Sequence, residues 1–264
     1  MHIYKTRRRK DRIGWSKVLT LDEQRQVVQY LLGKTPSALT GEVLEQETVE
    51  AKRLRMIYSL FVNTGLRETE LAMLRVRDCP KYLGADEIEV YRGKGNKDRS
   101  VEILACTRDD LIDYLHNWRL RTLPRHIKRD DVEAFVFYNN RKHRYFRVFQ
   151  QKIVVKSIIV VKGKETEKYK TIIKSKNRAR FSLYELIRNL GRHAGLTKKM
   201  YPHMLRHTFA VNDLAGSETV APKTIYQVAD RMGHCSIVIT ERYLHLVVDK
   251  QPITNGKDAV YAHA

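Results

Sequence analysis

The sequence has few cysteines, no long apolar run and a shortage of acidic residues. Its three cysteines, Cys79, Cys106 and Cys235, lie far apart and without metal-ligand spacing, so we expect no disulfide framework and a reducing compartment. No segment approaches the run of about 18 apolar residues that a membrane-spanning helix needs. The basic N-terminus has no apolar stretch behind it. We therefore expect neither a membrane segment nor a signal peptide.

Positive charge is what the sequence has in excess. The 264 residues include 50 lysines and arginines against 30 aspartates and glutamates, which gives a formal net charge of +20. A chain this basic is typical of nucleic-acid-binding proteins, and an anionic membrane surface is the alternative partner. The hydrophobic fraction of 42% is enough for a packed core, and the length fits one large domain or two small ones.

The positive charge is concentrated in two segments. Residues 1–17 carry seven lysines and arginines against one acid, so we predict a basic arm over residues 1–19 that contacts DNA phosphates. A solvated tail without a role is the alternative. Residues 141–180 carry 14 lysines and arginines against two acids. The predicted DNA contacts in these segments and beside the first hairpin are Arg7, Arg8, Arg9, Lys10, Lys97, Arg99, Lys152, Lys156, Lys162, Lys164, Lys174 and Lys176.

Within the second basic segment, Lys152–Val161 and Lys168–Ile173 have the composition of two strands, with a turn near residues 162–164. We predict a basic β-hairpin insertion over residues 141–180 that follows a DNA backbone or enters a groove. A solvated hairpin is the alternative, but the charge bias is strongly one-sided.

The remaining pattern is mainly helical. Thr20 and Glu23 have the spacing of a capping box, and apolar residues recur with a helical period behind them. Glu87–Arg92 and Arg99–Leu104 alternate as the two strands of a hairpin. The predicted fold class is therefore mainly α with a small antiparallel sheet (α+β). Further helices are predicted over about residues 43–62, over residues 107–123 with Thr107 as cap, and over residues 181–194 and 223–232, and a short strand over residues 133–138.

One basic pair falls at the start of a predicted helix. Pro202 suits the first helical position, and His203 and Arg206 then share one face of the helix. The planar guanidinium matches phosphate oxygens, and histidine can move a proton near neutral pH. The pair suits a site that holds a phosphodiester. Two unrelated polar residues on a surface helix are the alternative.

Two further cations lie near turns. Arg67 follows Thr64-Gly-Leu and falls in the first turn of a predicted helix, where a cation is unfavourable unless Glu70 or a bound anion compensates. An ordinary Arg67–Glu70 pair is the alternative. Lys94 lies in the glycine-rich turn 93–98. It is a solvated charge unless the hairpin points into a cleft, where a lysine can donate a proton.

Taken together and in order, these segments resemble the tyrosine recombinases, also called the phage integrase family. Four ordered motifs are far more specific than one. The resemblance covers roughly residues 20–250 and implies the catalytic-domain fold of that family. The matching segments are Thr64-Gly-Leu-Arg67-Glu-Thr-Glu-Leu71, Gly93-Lys94-Gly-Asn-Lys-Asp-Arg99, His203-Met-Leu-Arg206-His-Thr-Phe-Ala210, and Met232-Gly-His234-Cys-Ser-Ile237 followed by Thr240-Glu-Arg-Tyr243.

The resemblance implies DNA cleavage and rejoining by transesterification. Tyr243 is then the nucleophile, which forms a 3′-phosphotyrosine and releases a 5′-hydroxyl. Arg67 and Arg206 bind the non-bridging oxygens and stabilise charge in the transition state. The resemblance implies neither a metal ion nor another cofactor.

The resemblance also assigns supporting roles. Lys94 protonates the leaving 5′-oxygen, His203 helps to take the tyrosine proton, and His234 donates a hydrogen bond to the phosphate. Glu70 braces Arg67. His207 and His245 fall outside the matched catalytic positions, and we expect them to be structural.

Two features depart from the family pattern: what precedes the catalytic domain, and the basic stretch 141–180, which is longer than the short connection usual at that place. Members usually carry a core-binding domain before the catalytic domain, so that the pair clamps DNA, whereas about 19 residues precede the Thr20 helix here. We expect a basic arm (1–19) and a catalytic domain (20–264) that includes the insertion (141–180) and a C-terminal tail (246–264), without a full core-binding domain. The alternative is that the chain lacks part of a longer protein. We hypothesise that the insertion and the arm replace part of the clamp.

The function that this resemblance implies is site-specific recombination: integration, excision or inversion through a Holliday junction. The expected partner is double-stranded DNA with paired sites, bound by a homotetramer that is a monomer or weak oligomer when free. The expected location is the cytoplasm, in association with the nucleoid, for a protein of prokaryotic or viral origin. The alternatives are relaxation of DNA in the manner of a type IB topoisomerase and a catalytically silent DNA-binding regulator.

Overall fold

The computed structural model describes residues 13–80, 86–91, 98–138, 148–161, 164–177, 179–217 and 220–248, with backbone alone for those from 148 to 182. In the part of the chain described, no helix is both long and apolar enough to cross a membrane. The helices are α1 (Leu21–Leu31), α2 (Val49–Thr64), α3 (Glu68–Met73), α4 (Ala105–Asp113), α5 (Arg119–Thr122), α6 (Ala179–His193), α7 (Pro202–Ala215), α8 (Ile225–Arg231), α9 (Ile237–Thr240) and α10 (Leu244–Val248).

Local capping sets several helix starts. The Thr20 side chain accepts a hydrogen bond from the backbone N–H of Glu23, and the Glu23 carboxylate accepts one from the N–H of Thr20. The predicted capping box is thus confirmed. Pro202 occupies the first turn of α7, as predicted. Both starts satisfy or avoid N–H groups that a helix leaves unpaired at its beginning.

Three predicted elements differ from the structure. Helix α2 begins at Val49 rather than near residue 43, because Thr48 caps it and Val43 is held in an extended bridge with Pro36. Thr107 lies inside α4 rather than capping it, and its hydroxyl accepts a buried hydrogen bond from Asn63. The strand predicted over residues 133–138 is wrong. That segment makes an isolated bridge between Phe135 and Arg75.

Helix α4 runs into α5 through a π-helical turn over Tyr114–Trp118. The prediction over residues 107–123 therefore finds the helical segment but not its irregularity. Insertion of a π turn shifts the face that later residues present. Arg119 follows this turn and is buried, with its Nε donating to the Phe135 carbonyl at 3.0 Å.

Two separate antiparallel pairs of strands are present among the described residues. Strand β1 (Glu87–Val90) pairs with β2 (Arg99–Glu102), which confirms the predicted small hairpin. Strands β3 (Val148–Val161) and β4 (Lys164–Asn177) pair along their whole length, from Val148 opposite Asn177 to Val161 opposite Lys164. Fourteen residues of strand extend about 45 Å. We call the β3–β4 pair the ribbon.

The core has two parts, which α7 connects. The larger cluster joins α1, α2, α6 and the β1–β2 sheet, and includes Met204 and Leu205 from the start of α7. The smaller cluster contains Phe209 and Leu214 from the rest of α7, together with α8 and Tyr243. Because α7 is buried almost throughout, side chains near its middle are fixed between the two clusters.

Candidate active site

The end of α2 and the middle of α7 meet at Gly65. This residue caps α2 in the left-handed conformation, with φ of 61°. A Cβ atom added to Gly65 would lie 2.2 Å from the Phe209 ring, so both the conformation and the close approach require glycine. The approach brings the Gly65 carbonyl to the guanidinium of Arg206, which donates to it through Nη1.

Three arginines converge on the C-terminal end of α8. The carbonyls of Arg231, Met232 and Gly233 accept hydrogen bonds from Arg99 Nε at 3.0 Å, from Arg206 Nη2 and from Arg67 Nη2 at 2.7 Å, respectively. Carbonyls at the end of a helix lack intrahelical partners and carry the negative end of the helix dipole. This end therefore gathers cations from β2, α7 and the start of α3 in one place.

Arg206 is the most enclosed of the three, with 3% of the residue exposed. Burial, helped by the neighbouring charges of Arg67 and Arg99, lowers the pKa of Arg206 to about 10, so the side chain is still a cation at neutral pH. Its bonds to two backbone carbonyls use two of the five N–H groups of a guanidinium. The orientation of the remaining donors is thereby fixed.

Glu70 joins Arg67 and Arg99. Its carboxylate accepts from Arg67 Nη1 at 2.6 Å and from Arg99 Nη1 and Nη2 at 2.9 and 2.8 Å. Burial by itself raises the pKa of Glu70, but the hydrogen bonds and charges of Arg99 and Arg67 outweigh it and lower the pKa to about 2. The predicted contact between Glu70 and Arg67 is present in the structure.

The prediction that Arg67 lies in the first turn of its helix is wrong by one position. Arg67 is the N-cap of α3, and its backbone N–H donates to Glu70 Oε2 at 2.7 Å. Backbone and side chain of Arg67 are therefore both bound to one carboxylate. This compensates the unfavourable position of a cation at a helix start.

Arg99 was predicted to contact DNA, but its side chain is directed to a carboxylate of the protein. Its side chain is 9% exposed and forms the paired contact with Glu70. A sequence pattern cannot reveal this, because Arg99 and Glu70 are 29 residues apart and meet where β2 and the start of α3 both lie beside the end of α8. Arg99 belongs to the arginine cluster, in which it holds Glu70 and, through Glu70, Arg67.

His234 directly follows the cluster of carbonyls. Its Nδ1 lies 2.8 Å from the hydroxyl of Thr240, which fixes the ring. Burial and the charges of Arg206, Arg67 and Arg99 lower the pKa of His234 to about 3. The ring is neutral at pH 7.

Tyr243 packs in the smaller core cluster, with residues of α7 and α8. The residue is 3% exposed, and its hydroxyl is 2.7 Å from Nδ1 of His207. Burial raises the pKa of Tyr243 to about 12, against the opposing charges of Arg206 and Arg242. His203 is exposed, and its ring centre is 4.7 Å from that of His207.

The structure thus brings Arg67, Arg206, His234 and Tyr243 into one region, with His203 at its exposed rim. Among the described residues, no three His, Cys, Asp or Glu side chains are grouped to hold a metal ion. Lys94, Lys97, Lys162 and the arm residues Arg7, Arg8, Arg9 and Lys10 lie outside the described residues. Lys152, Lys156, Lys164, Lys174 and Lys176 lie on the ribbon.

The sequence comparison decides the family: the model of the phage integrase family matches residues 37–249. The chain belongs to the phage integrase family. Similar members include tyrosine recombinase XerC of Listeria innocua, 26% identical over 223 residues that cover 84% of this chain and 59% of that protein. XerC of Bacillus pumilus is 28% identical over 82% of this chain and 59% of that protein. The chain spans about three fifths of the length of these curated relatives.

Solved structures of the family have the same fold. The crystal structure of XerA recombinase matches with a TM-score of 0.54 and 24% identity over 86% of this chain and 58% of that one. XerH site-specific recombinase bound to difH substrate, in a pre-cleavage complex, matches with a TM-score of 0.56 and 20% identity over 92% of this chain and 54% of that one. The predicted fold class, mainly α with a small antiparallel sheet, is confirmed.

Proposed function

We propose that the chain is a tyrosine-type site-specific DNA recombinase, which cleaves and rejoins DNA through a 3′-phosphotyrosine. The observation that carries this proposal is the arginine cluster at the end of α8. Arg67 and Arg206 bind neighbouring carbonyls there, and the buried phenol of Tyr243 lies close enough for the charge of Arg206 to act on its pKa. Fixed donors beside a hydroxyl nucleophile are what phosphoryl transfer requires.

In the proposed step, the Tyr243 oxygen attacks the scissile phosphorus. The new P–O(Tyr) bond forms as the P–O5′ bond breaks, the phenol loses its proton, and the leaving 5′-oxygen gains one. Arg67 and Arg206 neutralise the non-bridging oxygens. Lys94 is the proposed donor to the 5′-oxygen. Attack by a 5′-hydroxyl from a partner strand reverses the step and regenerates Tyr243.

Two histidines have roles in this proposal. A neutral His234 can donate through Nε2 to a phosphate oxygen, while its Nδ1 contacts the Thr240 hydroxyl. The exposed His203 is the proposed route by which the phenol proton reaches solvent. Glu70 takes no part in the bond changes, since its carboxylate is held by Arg67 and Arg99.

The proposed partner is double-stranded DNA with paired sites, bound by four copies of the chain that exchange strands through a Holliday junction. Two members solved with DNA support this partner: XerH bound to its difH substrate, and the Tn1549 transposon integrase in complex with transposon right end DNA. The relatives named above are bacterial, and we propose that the chain acts on DNA in such a cytoplasm.

Covalent trapping tests the proposal. Duplexes that the protein binds are first selected from a random-sequence pool, and then resynthesised with a nick beside each candidate scissile phosphate. We expect a protein–DNA adduct that survives denaturation with wild-type protein and disappears with Tyr243→Phe. Transfer between two labelled duplexes distinguishes recombination from relaxation of a single duplex. Absence of any wild-type adduct on all selected duplexes contradicts the proposal.

A further inference from the structure

The hydroxyl of Tyr243 is held by His207, a histidine outside the matched catalytic positions. His207 Nδ1 lies 2.7 Å from the Tyr243 oxygen in a buried contact, and the two ring centres are 5.6 Å apart. His207 itself is 8% exposed and Tyr243 3%. A buried hydrogen bond of this length between two ordered side chains restrains both of them.

His207 lies one helical turn beyond His203, on the same face of α7. Residues four apart are neighbours on a helix surface, and the two ring centres are 4.7 Å apart. Exposure falls along this row from the exposed His203 to the buried His207 and Tyr243. The row thus leads from solvent to the nucleophile.

Both groups of the contact are neutral at pH 7, so the phenol keeps its proton. Burial lowers the pKa of His207 to about 3, with contributions from the charges of His203, Lys17, Arg206 and His234. With the pKa of Tyr243 raised to about 12, the proton stays on the phenol. The neutral imidazole has one acceptor nitrogen, and in the tautomer that leaves Nδ1 unprotonated the hydroxyl donates to it. His207 therefore orients the hydroxyl rather than removing its proton in this state.

His207 also connects the nucleophile to the phosphate site. It follows Arg206 directly in α7, and α7 is packed between both core clusters. A phenol that is bound to His207 keeps a fixed distance to the helix that carries Arg206. We propose that His207 is a positioning residue that holds the Tyr243 hydroxyl in register with the phosphate bound by Arg206; this rests on the proposed function.

Three substitutions separate the hydrogen bond from the space that the ring fills. His207→Phe keeps a ring but has no acceptor. His207→Asn places an amide oxygen or nitrogen near the position of Nδ1, whereas His207→Gln extends it toward the position of Nε2. His245→Phe is the matched control, because His245 is part-buried nearby and bonds the Ile13 carbonyl through Nε2.

The readout is the single-turnover rate of adduct formation on the nicked duplex, with the half-saturating DNA concentration measured in parallel. We expect His207→Phe and His207→Gln to lower the maximal rate at least about tenfold, because a misplaced nucleophile loses its near-attack geometry. Their half-saturating concentrations stay as in wild type. His207→Asn recovers most of the rate, and His245→Phe equals wild type. A wild-type or faster rate in His207→Phe overturns the proposal, as does an equal loss in all three His207 variants.

A second measurement is independent of catalysis. The ¹³C signal of Tyr243 Cζ, assigned by its loss in Tyr243→Phe, reports the hydrogen bond of the phenol in free protein. We expect it to move in His207→Phe and to return toward the wild-type position in His207→Asn. If wild-type protein forms no adduct but this signal responds as expected, the proposed function fails while the positioning contact stands. An unchanged signal in His207→Phe overturns the contact itself.

Discussion

The arginine cluster and the ribbon are both rich in cations, but they hold them in opposite ways. In the cluster, Arg206 is buried and the side chains of Arg67 and Arg99 are part-buried, and each of the three donates to a carbonyl at the end of α8. In the ribbon, the two strands contain seven lysines and only two acidic residues, Glu165 and Glu167. Fixed, partnered cations suit transition-state stabilisation, whereas a surplus of cations suits attraction of a phosphate backbone.

The strand register gives the ribbon two unlike faces. Alternate positions of a strand lie on the same face of the pair. Lys164, Lys174 and Lys176 therefore share one face, and none of the strand residues assigned to that face is acidic. Lys152 and Lys156 share the other face with both acids. The proposed DNA contacts of the ribbon therefore concentrate on the face of Lys164, Lys174 and Lys176.

The largest expected effect is at Arg206. Arg206→Ala removes a phosphate donor and leaves the carbonyls of Gly65 and Met232 without it. We expect the maximal rate of adduct formation to fall about 10³-fold, with DNA affinity within about tenfold of wild type because many phosphate contacts remain. Arg125→Ala, at an exposed arginine, is the control. A variant that cleaves at the wild-type rate removes Arg206 from the site.

A second test compares two carboxylates that each join two arginines. Glu70 is 7% exposed between Arg67 and Arg99, whereas Glu133 is 50% exposed and contacts Arg75 and Arg77. Glu70→Gln leaves two enclosed cations together, and we expect a loss of about 3 kcal/mol in the free energy of unfolding. Glu133→Gln loses much less, because the ion pairs of Glu133 are exposed and screened by solvent. Urea denaturation measures both, and equal losses would remove the distinction between a buried and an exposed network.

The pH dependence of stability tests the burial of His207. The pKa of His207 in the folded protein is lowered to about 3, whereas its pKa in the unfolded chain is near 6.5. Between these two pH values the unfolded chain binds a proton at His207 and the folded protein does not. Stability from this residue is intact above pH 6.5 and declines toward pH 3. We expect it to lose about 2 kcal/mol between pH 7 and pH 5. Urea denaturation of wild type and His207→Phe at both pH values isolates this part, and identical pH dependence would contradict it.

The smallest expected effect distinguishes the two faces of the ribbon. Lys174→Gln with Lys176→Gln, and Lys152→Gln with Lys156→Gln, remove the same charge from opposite faces. We expect the first pair to reduce the slope of log affinity against log salt by about 2, and the second by less than about 1. Gel-shift titrations over a range of salt give both slopes. Equal reductions would mean that the ribbon contributes only its net charge.

The predictions from the sequence succeed where a structure is local. The Thr20 capping box, Pro202 at the start of α7 and the β1–β2 hairpin depend on neighbouring residues, and all three are present. The extent of β3 and β4 was underestimated, because long cross-strand pairing carries residues of low strand propensity into the ladder. Propensity is a weak guide to where such pairing ends.

The sequence predicted the individual residues of the site but not the side-chain contacts between distant ones. Arg67, Arg206 and Tyr243 fall in recognisable motifs, and Glu70 is three residues from Arg67. The contacts of Arg99 with Glu70 and of His207 with Tyr243 join residues 29 and 36 positions apart. The first arises where β2 and the start of α3 lie beside the end of α8, and the second where Tyr243 packs in the same cluster as α7. The i, i+4 spacing of His203 and His207 was the available signal for the second contact.

The division between the two regions has one direct test. In single-turnover cleavage of the selected nicked duplex, DNA concentration is varied for wild type and for a variant in which residues 149–176 are replaced by a short Gly-Ser turn. We expect this variant to need at least about tenfold more DNA for half-maximal rate, while its maximal rate stays within about threefold of wild type. A lower maximal rate at an unchanged half-saturating concentration would contradict the account, since the ribbon would then act in the chemistry rather than in holding DNA.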